Sequence, residues 1–176
     1  QDFATKNSLK PEALLMIGDN FYSATKGGFT VDCARWRDTF ARCPSASAFP
    51  CPMYAVLGNH DYHDNAGGQD VQLAYAKKSG VRWKMPNKWY RQDLGGLITL
   101  LFVDTNLPDV SGHMMRASLT LEEEKAQLTW LKAELNKPRA PFTLVVGHHP
   151  LYSNGDHGDT KPLIDQWDSL FQEQKI

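Results

Sequence analysis

The sequence predicts an α/β domain, and three observations carry that prediction. Four short apolar runs, "ALLMI" (13–17), "MYAVL" (53–57), "LITLLFV" (97–103) and "FTLVV" (142–146), have the length of β-strands. Segments of helical character lie between them, so strand and helix alternate along the chain. Each run is followed at once by polar residues.

Taken in order, the first run closes on Gly18-Asp19-Asn20. A helical segment starts at Thr30 with Asp32 in its first turn and Trp36 and Phe40 on one face. The second run closes on Gly58-Asn59-His60-Asp61, and a further helical stretch, "GQDVQLAYAKKSG", is stopped by Gly80. The third run closes on Asp104-Thr105-Asn106, where Asp104 is expected to cap the strand end. The clearest helix begins with Thr120 and Glu123 as a capping box, carries Leu121, Leu128, Leu131 and Leu135 on one stripe, and stops before Pro138. The fourth run closes on Gly147-His148-His149. All four runs are continuous rather than alternating, which suits strands covered on both faces. The carboxyl ends of such strands are where loops converge on ligands, and the glycines let the backbone turn sharply there.

The 176 residues suit one domain able to bury roughly 70% of its unfolded surface. A net charge of −1 with 22% charged residues gives no electrostatic footprint for nucleic acid or a membrane surface. The longest apolar run is far short of the ~18 residues that suggest a bilayer span. The opening "QDFATKNSLK" has no basic and then apolar leader pattern, and no initiator Met. Cys33, Cys43 and Cys51 cluster without a CxxC pair, which leaves two readings: one loop-tethering disulfide with a spare thiol, or three buried thiols.

Asp19, Tyr22, Asn59 and His148 combine a carboxylate, a phenol, an amide oxygen and an imidazole. That mixture suits metal ligation better than nucleophilic chemistry, because a carboxylate can bridge two cations and imidazole suits Zn and Fe. A phenol of ordinary pKa ~10 ligates near neutral pH only when a strong Lewis acid drives off its proton, and ferric iron is the best candidate. Each residue alone has a structural reading: GDN as a turn, Tyr22 as a core aromatic, Asn59 as a cap, His148 as a buried hydrogen-bonded imidazole. Their conjunction at strand ends is what favours a site.

In order and spacing, "GDNFY", "GNHDYH" and "VVGHHPLYSNGDHG" closely resemble the purple acid phosphatases of the small, tartrate-resistant type, within the calcineurin-like metallophosphoesterases. The resemblance extends through "LAYAKKSGVRWKMPNKWY", "FVDT" and "QLTWLKAEL". It implies a β-sandwich flanked by helices that holds Fe(III) beside a divalent Fe, Zn or Mn. By that resemblance Asp19 bridges both metals, Tyr22 binds the ferric ion, Asn59 and His148 bind the divalent one, and His60 and His157 face the substrate phosphate. Asp61 is placed to orient His60, or is a simple turn acid. The implied reaction is hydrolysis of a phosphate monoester, small or on a phosphoprotein, by attack of a metal-bound hydroxide. Such esters need accelerations up to ~10²¹, and two cations supply both a nucleophile and charge neutralisation. His149 and Asp156 depart from the small-enzyme pattern, and residues 106–118 occupy the position of a regulatory loop.

The family's opening Asp-x-Gly and closing Gly-His-x-His motifs are not in these residues. The expectation is therefore that residues 1–176 form the central part of one metallophosphoesterase domain, with three of seven expected ligands outside it and no turnover by this segment alone. The resemblance also implies a secreted or lysosomal/vacuolar protein. Two other readings stay open: a catalytically inactive binding or scaffold module with the same fold, and a related phosphodiesterase or nucleotidase.

Overall fold

Six strands in two three-stranded sheets form the centre of the computed structural model, which describes residues 6–41, 51–110 and 118–176. The first sheet holds β1 (Leu14–Ile17), β2 (Met53–Val56) and β3 (Trp83–Lys84), all parallel, with Met16 opposite Ala55 and Met53 opposite Trp83. The second holds β4 (Tyr90–Leu94), β5 (Ile98–Phe102) and β6 (Phe142–Val146). Here β4 and β5 are antiparallel across a tight turn through Gly95 and Gly96, and β5 and β6 are parallel. A mixed second sheet follows from these connections, since two-stranded hairpins must be antiparallel and a helical crossover returns a parallel strand.

The helices are α1 (Ala34–Trp36), which runs on into a π-helical turn at Arg37–Ala41, then α2 (Asn59–His63), α3 (Gly68–Ala76), α4 (Leu121–Leu135) and α5 (Lys161–Gln174). The capping box at the start of α4 forms as expected: the Thr120 hydroxyl accepts from the Glu123 amide at 3.1 Å, and the Glu123 carboxylate accepts from the Thr120 amide at 2.9 Å. Of the α4 stripe, Leu131 and Leu135 are buried, while Leu121 is exposed at the first turn.

Strand β5 explains why the longest apolar run is continuous. Alternate residues point to opposite faces. Leu100 and Phe102 join a core with Val56, Trp83 and Tyr90 between the two sheets, while Leu101 and Val103 join a second core with Leu131, Leu135, Leu163 and Trp167 beneath α4 and α5. The Tyr90 hydroxyl ties the sheets together by donating to the Ala55 carbonyl at 2.9 Å.

Cover on both faces does not extend to β1 and β6. Leu15 and Ile17 on β1, and Phe142 and Leu144 on β6, are exposed, so one face of each of these strands is open. The segment from Thr30 is a turn that becomes helical only at Ala34, and α3 ends at Ala76, ahead of Gly80. Cys33 and Cys51 carry free thiols; Cys43 and most of the 106–118 loop, residues 111–117, lie outside the described residues. Among the described residues, no helix is long and apolar enough to cross a membrane.

Candidate metal centre

The ends of β1, β2 and β6 meet, and they bring Asp19, Asn59 and His148 together. Asp19 sits in the left-handed backbone region at φ 52°, directly after Gly18 at φ 92°. That sharp turn aims its carboxylate back across the strand ends. Its Oδ1 accepts from the His60 amide at 3.0 Å, and its Oδ2 accepts from the Tyr22 hydroxyl at 2.7 Å.

His148 is held from behind. Its Nδ1 lies 2.9 Å from the Ile17 carbonyl, an acceptor only, so Nδ1 carries the proton. In the neutral ring Nε2 is then a lone pair, and it faces Asn59 Oδ1 at 3.1 Å and Asp19 Oδ1 at 3.3 Å. Three electron-rich atoms this close repel one another unless a positive charge lies among them. A proton on Nε2 or a metal cation satisfies that condition, and the mixed N/O set fits the cation.

Two glycines make the approach possible. A Cβ on Gly18 would fall 2.6 Å from His148 Nδ1, and one on Gly58 would fall 2.2 Å from Asp19 Oδ1 and 2.3 Å from the Asp19 amide nitrogen. The glycines ahead of the strand-end donors thus leave room for neighbouring ligands as well as for turning.

Tyr22 is exposed, with its ring 4.4 Å from that of His60. Its loop is pinned by Arg35, whose guanidinium donates to the Ser23 carbonyl at 2.8 Å, to Thr25 Oγ1 at 2.9 Å and to the Tyr22 carbonyl. The hydrogen bond to Asp19, with burial and the charge of Asp19 adding to it, holds the Tyr22 phenol above its ordinary pKa. A tyrosinate here therefore requires a cation in place of that shared proton.

Asp19, Tyr22, Asn59, His60, His148 and His157 all line one cleft of about 810 Å³. Asp61 does not. Its carboxylate is buried behind the cleft and accepts from the amides of Asn20, Phe21 and Gly58 and from the side chains of Asn20 and Gln72. Burial raises its pKa against the pull of these donors. Asp61 thus caps α2 and ties the Asp19 loop to it, and the expectation that it orients His60 is corrected. The carboxylate beside the His60 ring belongs to Asp64, one turn on, with both oxygens 3.1 Å from Nδ1. Burial works against the Asp64 carboxylate, but the Ser23 amide and His60 outweigh it and hold its pKa below the usual range.

His149 also lines the cleft, and the sequence gives no role for the Thr105 that holds it. The Thr105 hydroxyl accepts from the His149 amide at 2.9 Å and lies 2.8 Å from Nδ1. Burial, with the neighbouring His148, lowers the His149 pKa to about 4. Asp104 is fully buried and accepts from the Tyr62 hydroxyl at 2.5 Å and from the Asn106 amide and side chain, a structural role as expected.

The profile of calcineurin-like phosphoesterases matches residues 2–172. The chain belongs to that family. It is 31% identical over 173 residues to tartrate-resistant acid phosphatase type 5 of Homo sapiens, covering 92% of this chain and 51% of the relative. It is 28% identical over 172 residues to purple acid phosphatase 7 of Arabidopsis thaliana, covering 93% of this chain and 51% of that protein. The chain spans about half the length of these curated relatives. In fold it is similar to GAP50, described as the anchor in the inner membrane complex of Plasmodium, with a TM-score of 0.75 at 21% identity over 99% of this chain and 56% of that one. Membership of a calcineurin-like family agrees with the α/β fold, two sheets flanked by helices.

Proposed function

We propose that the protein is an acid phosphatase that hydrolyses phosphate monoesters at a dinuclear centre of Fe(III) and a divalent Fe, Zn or Mn. The observation that carries this reading is the His148 Nε2 lone pair facing Asn59 Oδ1 and Asp19 Oδ1, with Tyr22 on the other oxygen of the same carboxylate. Asp19 would bridge the two cations, Tyr22 would ligate the ferric ion, and Asn59 and His148 the divalent one. Bound there, the cations supply Lewis acidity to the phosphoryl oxygens and to water.

The chain's own residues do the rest. The Ile17 carbonyl fixes the His148 tautomer, and the His60 amide fixes the Asp19 carboxylate. His60 and His157, both on the cleft wall, hold the phosphate, and an imidazolium at either gives a proton to the departing alkoxide, a contribution of roughly 10²–10⁴. Small phosphate monoesters or phosphoproteins are the substrates, and a secreted or lysosomal/vacuolar setting suits this chemistry; neither nucleic acid nor a membrane is a partner. The similar structure described as an anchor supports a second reading, a scaffold without turnover, but a scaffold has no need of four metal donors converging from three strand ends, with an imidazole lone pair, an amide oxygen and a carboxylate oxygen turned on one point.

The test uses the protein in its natural length, loaded with iron and zinc. It should hydrolyse p-nitrophenyl phosphate with a preference for acidic pH and leave bis(p-nitrophenyl) phosphate largely untouched. His60→Ala and His157→Ala should slow alkyl phosphates more than the aryl ester, whose leaving group needs no proton. Preference for the diester, or no hydrolysis by the loaded protein, would overturn the proposal.

A further inference from the structure

A second group of ligand-type side chains stands beside the first, and no step proposed above uses it as a unit. His60, His63 and Asp64 project from the single turn of α2 and the residue that caps it. Their spacing of three and four residues puts them on one helix face. One ligand atom from each lies within 4.8 Å of the other two. Asp64 Oδ1 is 2.7 Å from His63 Nδ1, both Asp64 oxygens are 3.1 Å from His60 Nδ1, and the two imidazole rings are 4.5 Å apart between centroids.

Both Nδ1 atoms therefore turn towards one ionised carboxylate, rather than two histidines standing apart in solvent. The Ser23 amide donates to the same carboxylate and holds it in place between the two rings. Two imidazole nitrogens and a carboxylate oxygen are the three-ligand set that zinc takes with a fourth position left open. The side chains are only partly covered, at 32%, 27% and 14% exposure for His60, His63 and Asp64, so an ion can enter without unfolding the turn. Softer sulfur ligands are lacking from the group, and two nitrogens disfavour Ca²⁺ and Mg²⁺, which take oxygen.

We propose that His60, His63 and Asp64 form an auxiliary Zn²⁺ site, separate in its ligand atoms from the Asp19, Tyr22, Asn59 and His148 cluster. His60 Nδ1 serves the auxiliary ion and Nε2 keeps its hydrogen towards the cleft, so with that ion bound His60 is no longer an imidazolium and the proton for the departing alkoxide falls to His157. The site stands whether or not the protein turns over phosphate esters.

Zinc is titrated calorimetrically into a variant carrying Asp19→Asn and His148→Ala, which disables the first cluster, and into the same variant with His63→Ala added. The first should bind one zinc per chain, and the second should bind it at least tenfold more weakly, with circular dichroism showing both folded. No zinc bound by the first, or equal affinity in the two, overturns the proposal. Should either variant unfold, the ring resonances of His63 in the unmutated protein take their place: added zinc should shift them, and resonances that stay fixed through several equivalents overturn it equally.

Discussion

His148 Nδ1 lies 2.9 Å from the carbonyl of Ile17, across 131 positions of sequence and from one sheet to the other. The contact decides which nitrogen of His148 is free, so it ties the joining of the β1 and β6 ends directly to the chemistry of the cleft. Space for it depends on Gly18 between Ile17 and Asp19. Gly18→Ala places a methyl 2.6 Å from His148 Nδ1 in a backbone conformation that alanine disfavours. Gly58→Ala presses on Asp19 in the same way. Each variant should lose about 10²-fold or more in kcat/KM through displacement of a ligand by about 1 Å, and should unfold at lower urea. Wild-type rates in either would show that the ligand positions are not set by these contacts.

Asp61→Asn should act on stability. The carboxylate accepts from five donor groups, and an amide in its place turns an NH₂ towards several of them. A loss of at least about 2 kcal/mol in urea unfolding is expected. Unchanged stability together with lost activity would return Asp61 to the reactive machinery.

Asp104 makes stability depend on pH. Burial, outweighing hydrogen bonds from Tyr62 and Asn106, raises its pKa from the usual 3.8 to about 6. The folded state therefore holds this proton more tightly than the unfolded chain does. Its stabilising contribution is complete below about pH 4 and is lost as pH rises through about 6. Relative to Asp104→Asn, the protein should gain up to about 2 kcal/mol as pH falls from 7.5 to 4.5, read from paired urea curves. A difference that stays flat across that range would contradict the burial argument.

Much of the site is legible in the sequence because strand ends are punctuated: an apolar run, then a glycine, then a ligand-type side chain, as at Asp19, Asn59 and His148. The Thr120 and Glu123 capping box is equally local and is found where it is expected. What escapes is whatever depends on direction. Neighbours in a helical turn point about 100° apart, so Asp61, next to His60 in sequence, faces the core, while Asp64, one turn away, meets the His60 ring. Strand β3 has two residues, and β4 reads "YRQDL" with only its ends apolar, so neither has a hydrophobic run to announce it. Helix α5 does carry a signal, Leu163, Trp167 and Phe171 spaced by four after a proline in the first turn, and that spacing suffices to find it. The open faces of β1 and β6 depend on what packs over them, which apolar content alone does not state.

The most direct measurement is the visible absorption spectrum of the iron-loaded protein beside that of Tyr22→Phe, with iron content determined for both. Tyr22 is exposed and its hydroxyl bonds only to Asp19 among the contacts described, so the variant should remain folded. The iron-loaded protein should be purple, and its charge-transfer band should disappear in Tyr22→Phe. A colourless protein with full phosphatase activity, or a band that survives the substitution, would contradict ferric ligation by Tyr22.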